Sequence, residues 1–195
     1  MTKLSLDTFN NIKTKYGEHA SWAVWADQTD RPKSNMGDLS IFDEKTILDV
    51  LNPNIVLVAL NFSVNVKKMR PFENFHGENG EVYKLRFALK DTPLWGSYMT
   101  DIIKDFVEAD SGKVEEYLEK NPKIVKDNLD SFQEELKELK VKPILVALGV
   151  TVKDILNNHL KDKFEIHDIT HYGWQRGAEQ YRDKVLEKIS LIENI

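Results

Sequence analysis

Ile55-Val56-Leu57-Val58-Ala59-Leu60, running into Asn61-Phe62-Ser63, sets the architecture of this chain. Six consecutive apolar residues, half of them β-branched, have neither a helical period nor a strict alternation. That is the pattern of a strand buried on both faces. Asn52-Pro53-Asn54 stops whatever precedes it. A strand of this kind lies inside a parallel sheet, whose crossovers need helices, so the stretch predicts an α/β fold.

Working outward, Pro143 to Leu148 and Phe164 to Ile169 repeat the signature, and Trp95 to Met99 is a weaker strand ending at Thr100-Asp101. Ala20 to Ala26 reads as a short strand or a buried segment. Helical spacing covers Leu4 to Tyr16, with Asp7 as a start cap, and Glu44 to Leu51. Two more helices begin at Ser111 and at Asn121-Pro122, the second with Val125, Leu129, Phe132, Leu136 and Leu139 on one stripe. Gly149 to Thr151 opens another, where Thr151 and Asp154 resemble a capping box. The last places Ala178, Tyr181, Val185 and Ile189 on one face. The order predicts one domain over residues 1–195, a three-layer α/β/α arrangement around a central, mainly parallel four-stranded sheet.

Composition narrows the function classes. No cysteine is present, which excludes disulfides, thiolate zinc sites, cysteine nucleophiles and cysteine-held iron–sulfur clusters. No apolar run approaches membrane-spanning length and no signal-peptide pattern opens the chain, so a cytoplasmic protein without membrane contact is expected. Residues 101–140 hold twelve acidic residues against seven lysines, which accounts for the whole net charge of −5. Acidity confined to one region does not argue against a nucleic-acid partner elsewhere. Lys67-Lys68-Met69-Arg70 is the one short basic cluster after the first strand, and such a cluster is equally a solvated turn.

Phosphate loops, dinucleotide fingerprints, nucleophile elbows and zinc helices are all missing from the sequence. His167, Asp168 and His171 straddle a strand end, where their spacing does not converge on one metal, so no metal site is expected. What remains is a set of strand ends: Asn61-Phe62-Ser63, Thr100-Asp101, Gly149-Val150-Thr151 and His171-Tyr172-Gly173. In open α/β sheets chemistry collects just past the carboxyl ends of parallel strands.

Val58-Ala59-Leu60-Asn61-Phe62-Ser63, Gly96 to Lys104, Leu145 to Gly149 and His171-Tyr172-Gly173, in that order, resemble the uracil-DNA glycosylase superfamily from about residue 20 to the end. The resemblance implies a monomeric, metal-free and cofactor-free hydrolase that cleaves the N-glycosidic bond of a base flipped out of DNA. Asn61 matches the residue that positions the attacking water in the mismatch-specific and single-strand-selective branches. His171 matches the residue that stabilises the leaving base. Such a reaction produces an oxocarbenium-like sugar and an anionic base, so a held water and a hydrogen-bond donor are the parts it needs.

Phe62, Ser63, Phe75, Asp101, Gly149, Thr151, Tyr172 and Gly173 are the expected substrate-binding residues. Phe75 is favoured over Phe62, Phe72 and His76 as the ring that stacks on the base. Gly149 with the Thr151 helix start offers backbone N–H groups to a phosphate. Several positions depart from the family's pattern: Ala59 and Ser63 replace loop glycines, Phe62 a proline, Asp101 an asparagine, and Tyr172-Gly173 a Pro-Ser pair. An ionised Asp101 accepts hydrogen bonds but cannot donate to uracil's O4, which points to a non-uracil base. Apart from the resemblance, Asn61 is equally a turn or cap residue, His171 a structural histidine, Asp101 a helix cap, and Trp22, Trp25, Trp95 and Trp174 packing residues. The alternative function is a non-catalytic relative that binds nucleic acid, a nucleotide or a protein in the same cleft.

Overall fold

The computed structural model describes residues 3–62, 69–78 and 80–192. The chain runs α1 (Leu6–Tyr16), β1 (Ala20–Trp22), a 3-10 turn (Ser40–Asp43), α2 (Ile47–Val50), β2 (Asn52–Asn61), α3 (Val82–Leu89), β3 (Ser97–Ile103), α4 (Ser111–Lys120), α5 (Pro122–Glu138), β4 (Ile144–Leu148), α6 (Val150–Leu160), β5 (Ile166–Ile169) and α7 (Ala178–Ile189).

Five strands form one sheet in the order β1-β3-β2-β4-β5. β2, with its unbroken apolar run, sits in the middle, pairing parallel with β3 on one side and β4 on the other. β5 continues the parallel set beyond β4. The sheet therefore has one strand more than the sequence predicts: β1 pairs antiparallel with β3, Ala20 opposite Thr100 and Trp22 opposite Tyr98. All three β1 residues are buried, and the Trp22 ring meets Tyr98 edge-on at 5.0 Å.

Successive strand residues point to opposite faces, and each face has its own core. Val56, Val58, Tyr98, Leu145 and Ala147 pack beneath Leu129, Phe132 and Leu136 of α5 and Val152 and Leu156 of α6. Ile55, Leu57, Ala59, Met99, Val146 and Leu148 pack beneath Leu85 and Leu89 of α3 and Tyr181 and Val185 of α7. No helix among the described residues is long and apolar enough to cross a membrane.

Four local expectations are corrected. The α1 cap is Ser5, whose hydroxyl accepts from the Thr8 N–H at 3.2 Å, so Asp7 lies inside the helix. Residues 44–51 give only the short helix Ile47–Val50. α6 begins at Val150 after Gly149, and Thr151 donates to Glu115 Oε1 at 2.6 Å instead of closing a capping box. β3 runs on through Ile103, which makes Asp101 an interior strand residue and excludes its role as a helix cap.

Candidate functional site

The carboxyl ends of β2, β3, β4 and β5 lie side by side, and the register fixes what each presents. Ala59 pairs with Asp101, Asn61 with Ile103, and Leu148 with Ile169. Past β5, Tyr181 of α7 donates to the Thr170 carbonyl at 2.9 Å and anchors the turn that carries His171.

His171 is held by its own loop. The Gly173 N–H donates to His171 Nδ1 at 3.0 Å, so Nδ1 is an acceptor and the ring hydrogen of the neutral imidazole sits on Nε2. Protonating Nδ1 would oppose that N–H. Desolvation also pulls the imidazole pKa below its ordinary value, although the outer edge of the residue is exposed. Two glycines lie close against the His171 side chain. Gly149 has φ +102°, and a Cβ there would stand 3.3 Å from His171 Cβ; a Cβ on Gly173 would stand 3.0 Å from Nδ1. Tyr172 stacks on the imidazole at 4.2 Å.

Asp101 lies on the same face as Met99 and is 2% exposed. Its Oδ2 accepts from Asn74 Nδ2 at 2.8 Å, and among the described residues Oδ1 has no partner. Burial pushes the carboxyl up to about 7; the Asn74 hydrogen bond and the Lys104 charge act the other way but are outweighed. The Tyr172 phenol is raised first by burial and then by the Asp101 charge.

The Asn61 amide bonds the backbone at the strand end, in the manner of the turn residue that the sequence also allowed. Its Nδ2 donates to the carbonyls of Phe62 at 3.0 Å, Phe106 at 3.1 Å and Glu108 at 2.9 Å. The amide clamps the loop after β3 onto the end of β2, and the Glu108 N–H returns a bond to Phe62 O at 3.1 Å. Oδ1 of Asn61 has no partner among the described residues. The half-buried Phe62 ring meets His19 edge-on at 5.5 Å.

The remaining expectations divide. Phe75 packs with Ala59, Met99 and Tyr172 in the same core layer as Asp101, at 7% exposure. Phe72 and His76 belong to the interior: Phe72 meets Phe9 and Phe42, while His76 lies between Trp25 and Phe42 with Nε2 at 2.9 Å from Ser21 Oγ. Trp22 and Trp25 are buried, whereas Trp174 is 38% exposed with the Arg176 guanidinium 5.7 Å from its ring centre. The Gly149 N–H bonds Ile169 O at 2.9 Å and is not free for a phosphate, while the Thr151 hydroxyl, not its N–H, donates to Glu115. Ser63, Lys67 and Lys68 lie outside the described residues; Arg70 pairs with Glu73 at 3.0 Å.

Asp168 bridges Lys153 at 2.7 Å and Lys188 at 2.9 Å, and His167 pairs with Glu165. No group among the described residues has the donor set of a metal site. An open groove of 810 Å³ lies at the opposite, amino end of the sheet, beside Asn52 and Trp95, and includes none of these residues. No family model, curated protein or solved structure matches the chain. The functional reading therefore rests on the site.

Sequence reasoning missed Asn74 and His19. His19 precedes β1, whose antiparallel course brings that end to the carboxyl edge of β3, and Asn74 reaches Asp101 from a separate loop, across a separation no local motif encodes.

Proposed function

We propose that the chain is a DNA base-excision hydrolase that cleaves the N-glycosidic bond of a flipped base at the carboxyl edge of β2, β3 and β5. The observation that carries this reading is the fixed tautomer of His171. With Nδ1 accepting from Gly173 and burial opposing protonation, Nε2–H is a neutral donor. Such a donor stabilises negative charge as it develops on a departing base, and its fixed placement lowers the reorganisation needed in the transition state. Asn61 holds the attacking water through Oδ1, the one polar atom of its side chain not engaged by a loop carbonyl. Asp101 reads the base edge from the buried layer, and Phe62 and Phe75 supply the flanking rings. The acidic residues of α4 and α5 form exposed pairs such as Glu116–Lys120 and Asp127–Lys123, while Glu115 of α4 meets Thr151 just past the carboxyl end of β4.

A non-catalytic binding protein is the second reading, favoured by the commitment of the Asn61 amide to three loop carbonyls. Oligonucleotides carrying uracil, hypoxanthine, xanthine or a mismatched thymine, followed by alkaline cleavage of abasic sites, separate the two. Strand breaks that vanish in Asn61→Ala and His171→Ala support excision. Salt-sensitive binding without breaks on any base, at high protein concentration, refutes it.

A further inference from the structure

Asn74 belongs to no sequence motif, yet one of its bonds goes to the buried Asp101 carboxyl of the candidate site. Nδ2 donates to the His19 carbonyl at 2.7 Å and to Asp101 Oδ2 at 2.8 Å. Both amide hydrogens are thereby engaged, which gives the carboxamide one orientation. The segment that delivers it is strained: Phe72 and Phe75, on either side, both have φ +67°. Bulky residues seldom enter this region unless the surroundings enforce it. Here Phe72 N–H donates to Gly17 O at 2.7 Å, Ser21 Oγ to Phe72 O at 2.9 Å, and Trp25 Nε1 to Phe75 O at 3.0 Å.

We propose that Asn74 is a positioning residue for Asp101: its amide claims Oδ2 as an acceptor, so that Oδ1 carries the acidic hydrogen and meets the ligand as a donor. The identity of that ligand as a nucleobase rests on the base-excision reading. A carboxyl held in this way donates to a carbonyl oxygen or an unprotonated ring nitrogen. Once ionised, Oδ1 turns into an acceptor and the preference passes to an exocyclic amine. The proton thus selects between oxo and amino edges. Three groups set its occupancy beside burial: Asn74; Lys104, whose Nζ donates to the Asp101 carbonyl at 2.7 Å; and Glu135, whose charge opposes ionisation, while the raised Tyr172 phenol stays neutral. Burial exceeds them and brings the midpoint to about 7.

The test follows the Asp101 carboxyl by carbon-13 NMR between about pH 4 and 9 in the full chain, assigned with Asp101→Asn. Removing the donor in Asn74→Ala raises the midpoint by about one pH unit. Asn74→Asp, nearly isosteric, raises it through like charge and reads the same change if Asn74→Ala does not fold. In the excision assay the wild type loses oxo-base cleavage as Asp101 ionises, and each variant's pH profile moves with its carboxyl midpoint. An unmoved midpoint, or an Asp101 that titrates in the ordinary carboxylate range, overturns the proposal. No excision by the wild type refutes the base-excision reading alone, and the carboxyl titration still decides the role of Asn74. Excision with an unmoved profile refutes Asn74 alone.

Discussion

Replacing Asp101 by Asn stabilises the protein, and does so only above acidic pH. In the folded chain burial raises the Asp101 carboxyl from 3.8 to about 7. Between those values the folded state holds a proton that the unfolded state has released. Stability due to this group therefore falls as pH rises through the window, and above it the whole penalty of a buried charge is present. Each pH unit of that window corresponds to about 1.4 kcal/mol, so the penalty reaches about 4 kcal/mol above pH 7.

His76 opposes this. Burial lowers its pKa from 6.5 to about 3, so between those values the unfolded state binds the extra proton and stability rises with pH. Over their common range the two slopes nearly cancel. Asp101→Asn, which keeps an acceptor oxygen for Asn74, removes one slope and uncovers the other. Urea unfolding at half-unit steps gives the measurement: the gain of Asp101→Asn over the wild type is near zero at about pH 4 and grows to about 4 kcal/mol at about pH 7.5. In His76→Gln the remaining slope has the opposite sign. Parallel curves for Asp101→Asn and the wild type would show that Asp101 ionises at its ordinary pKa, which refutes a buried carboxyl that keeps its proton near neutral pH.

Two further outcomes are expected. Gly149→Ala forces a side chain to φ +102° and against His171; it costs about 1–3 kcal/mol, seen as a lower urea midpoint, and an unchanged midpoint would show that the turn relaxes. Lys104→Met strands Glu135, a 1%-exposed carboxylate held by Lys104 Nζ and the Tyr98 hydroxyl, each at 2.8 Å. This costs about 3–5 kcal/mol, much of it regained in Lys104→Met/Glu135→Leu, and a double-mutant cycle in urea reads the coupling.

Strand positions were legible where burial on both faces leaves an unbroken apolar run, as in Ile55–Leu60 and Ile144–Leu148. α5 was legible because Leu129, Phe132 and Leu136 form a stripe that is buried as expected. α3 was not, because Lys84 and Arg86 are buried beside Val82, Leu85, Ala88 and Leu89 and erase its amphipathic contrast. Lys84 instead reaches Trp174 O at 3.1 Å and Glu81, while Arg86 donates to the carbonyls of Ala26, Pro32 and Ser34. β1 was half-legible: three residues are too few for a period, and the partner that makes them a strand lies about eighty positions away. At the site, strand-end position indicated Asn61 and His171, but the bonds that give each a direction come from backbone groups that carry no sequence signal.

Those bonds bear on the choice between catalysis and mere binding. Asn61, Asp101 and His171 each commit part of their polar capacity to the fold: Asn61 Nδ2 to three carbonyls, Asp101 Oδ2 to Asn74, and His171 Nδ1 to Gly173. Each keeps one polar atom without a partner among the described residues: Asn61 Oδ1, Asp101 Oδ1 and His171 Nε2. An unpaired atom alone does not mark a site, since the interior Trp22 Nε1, Ser97 Oγ and Thr100 Oγ1 also lack a hydrogen-bond partner among the described residues; what counts here is the chemistry of the three. The three differ in chemistry: an amide acceptor, a titrating carboxyl oxygen and a neutral N–H donor. Hydrolysis of a base–sugar bond needs a water held by an acceptor, a contact to the base edge and a donor for the leaving anion. Binding alone needs no neutral imidazole fixed in one tautomer, and for that reason His171 carries more weight in the excision reading than Asn61.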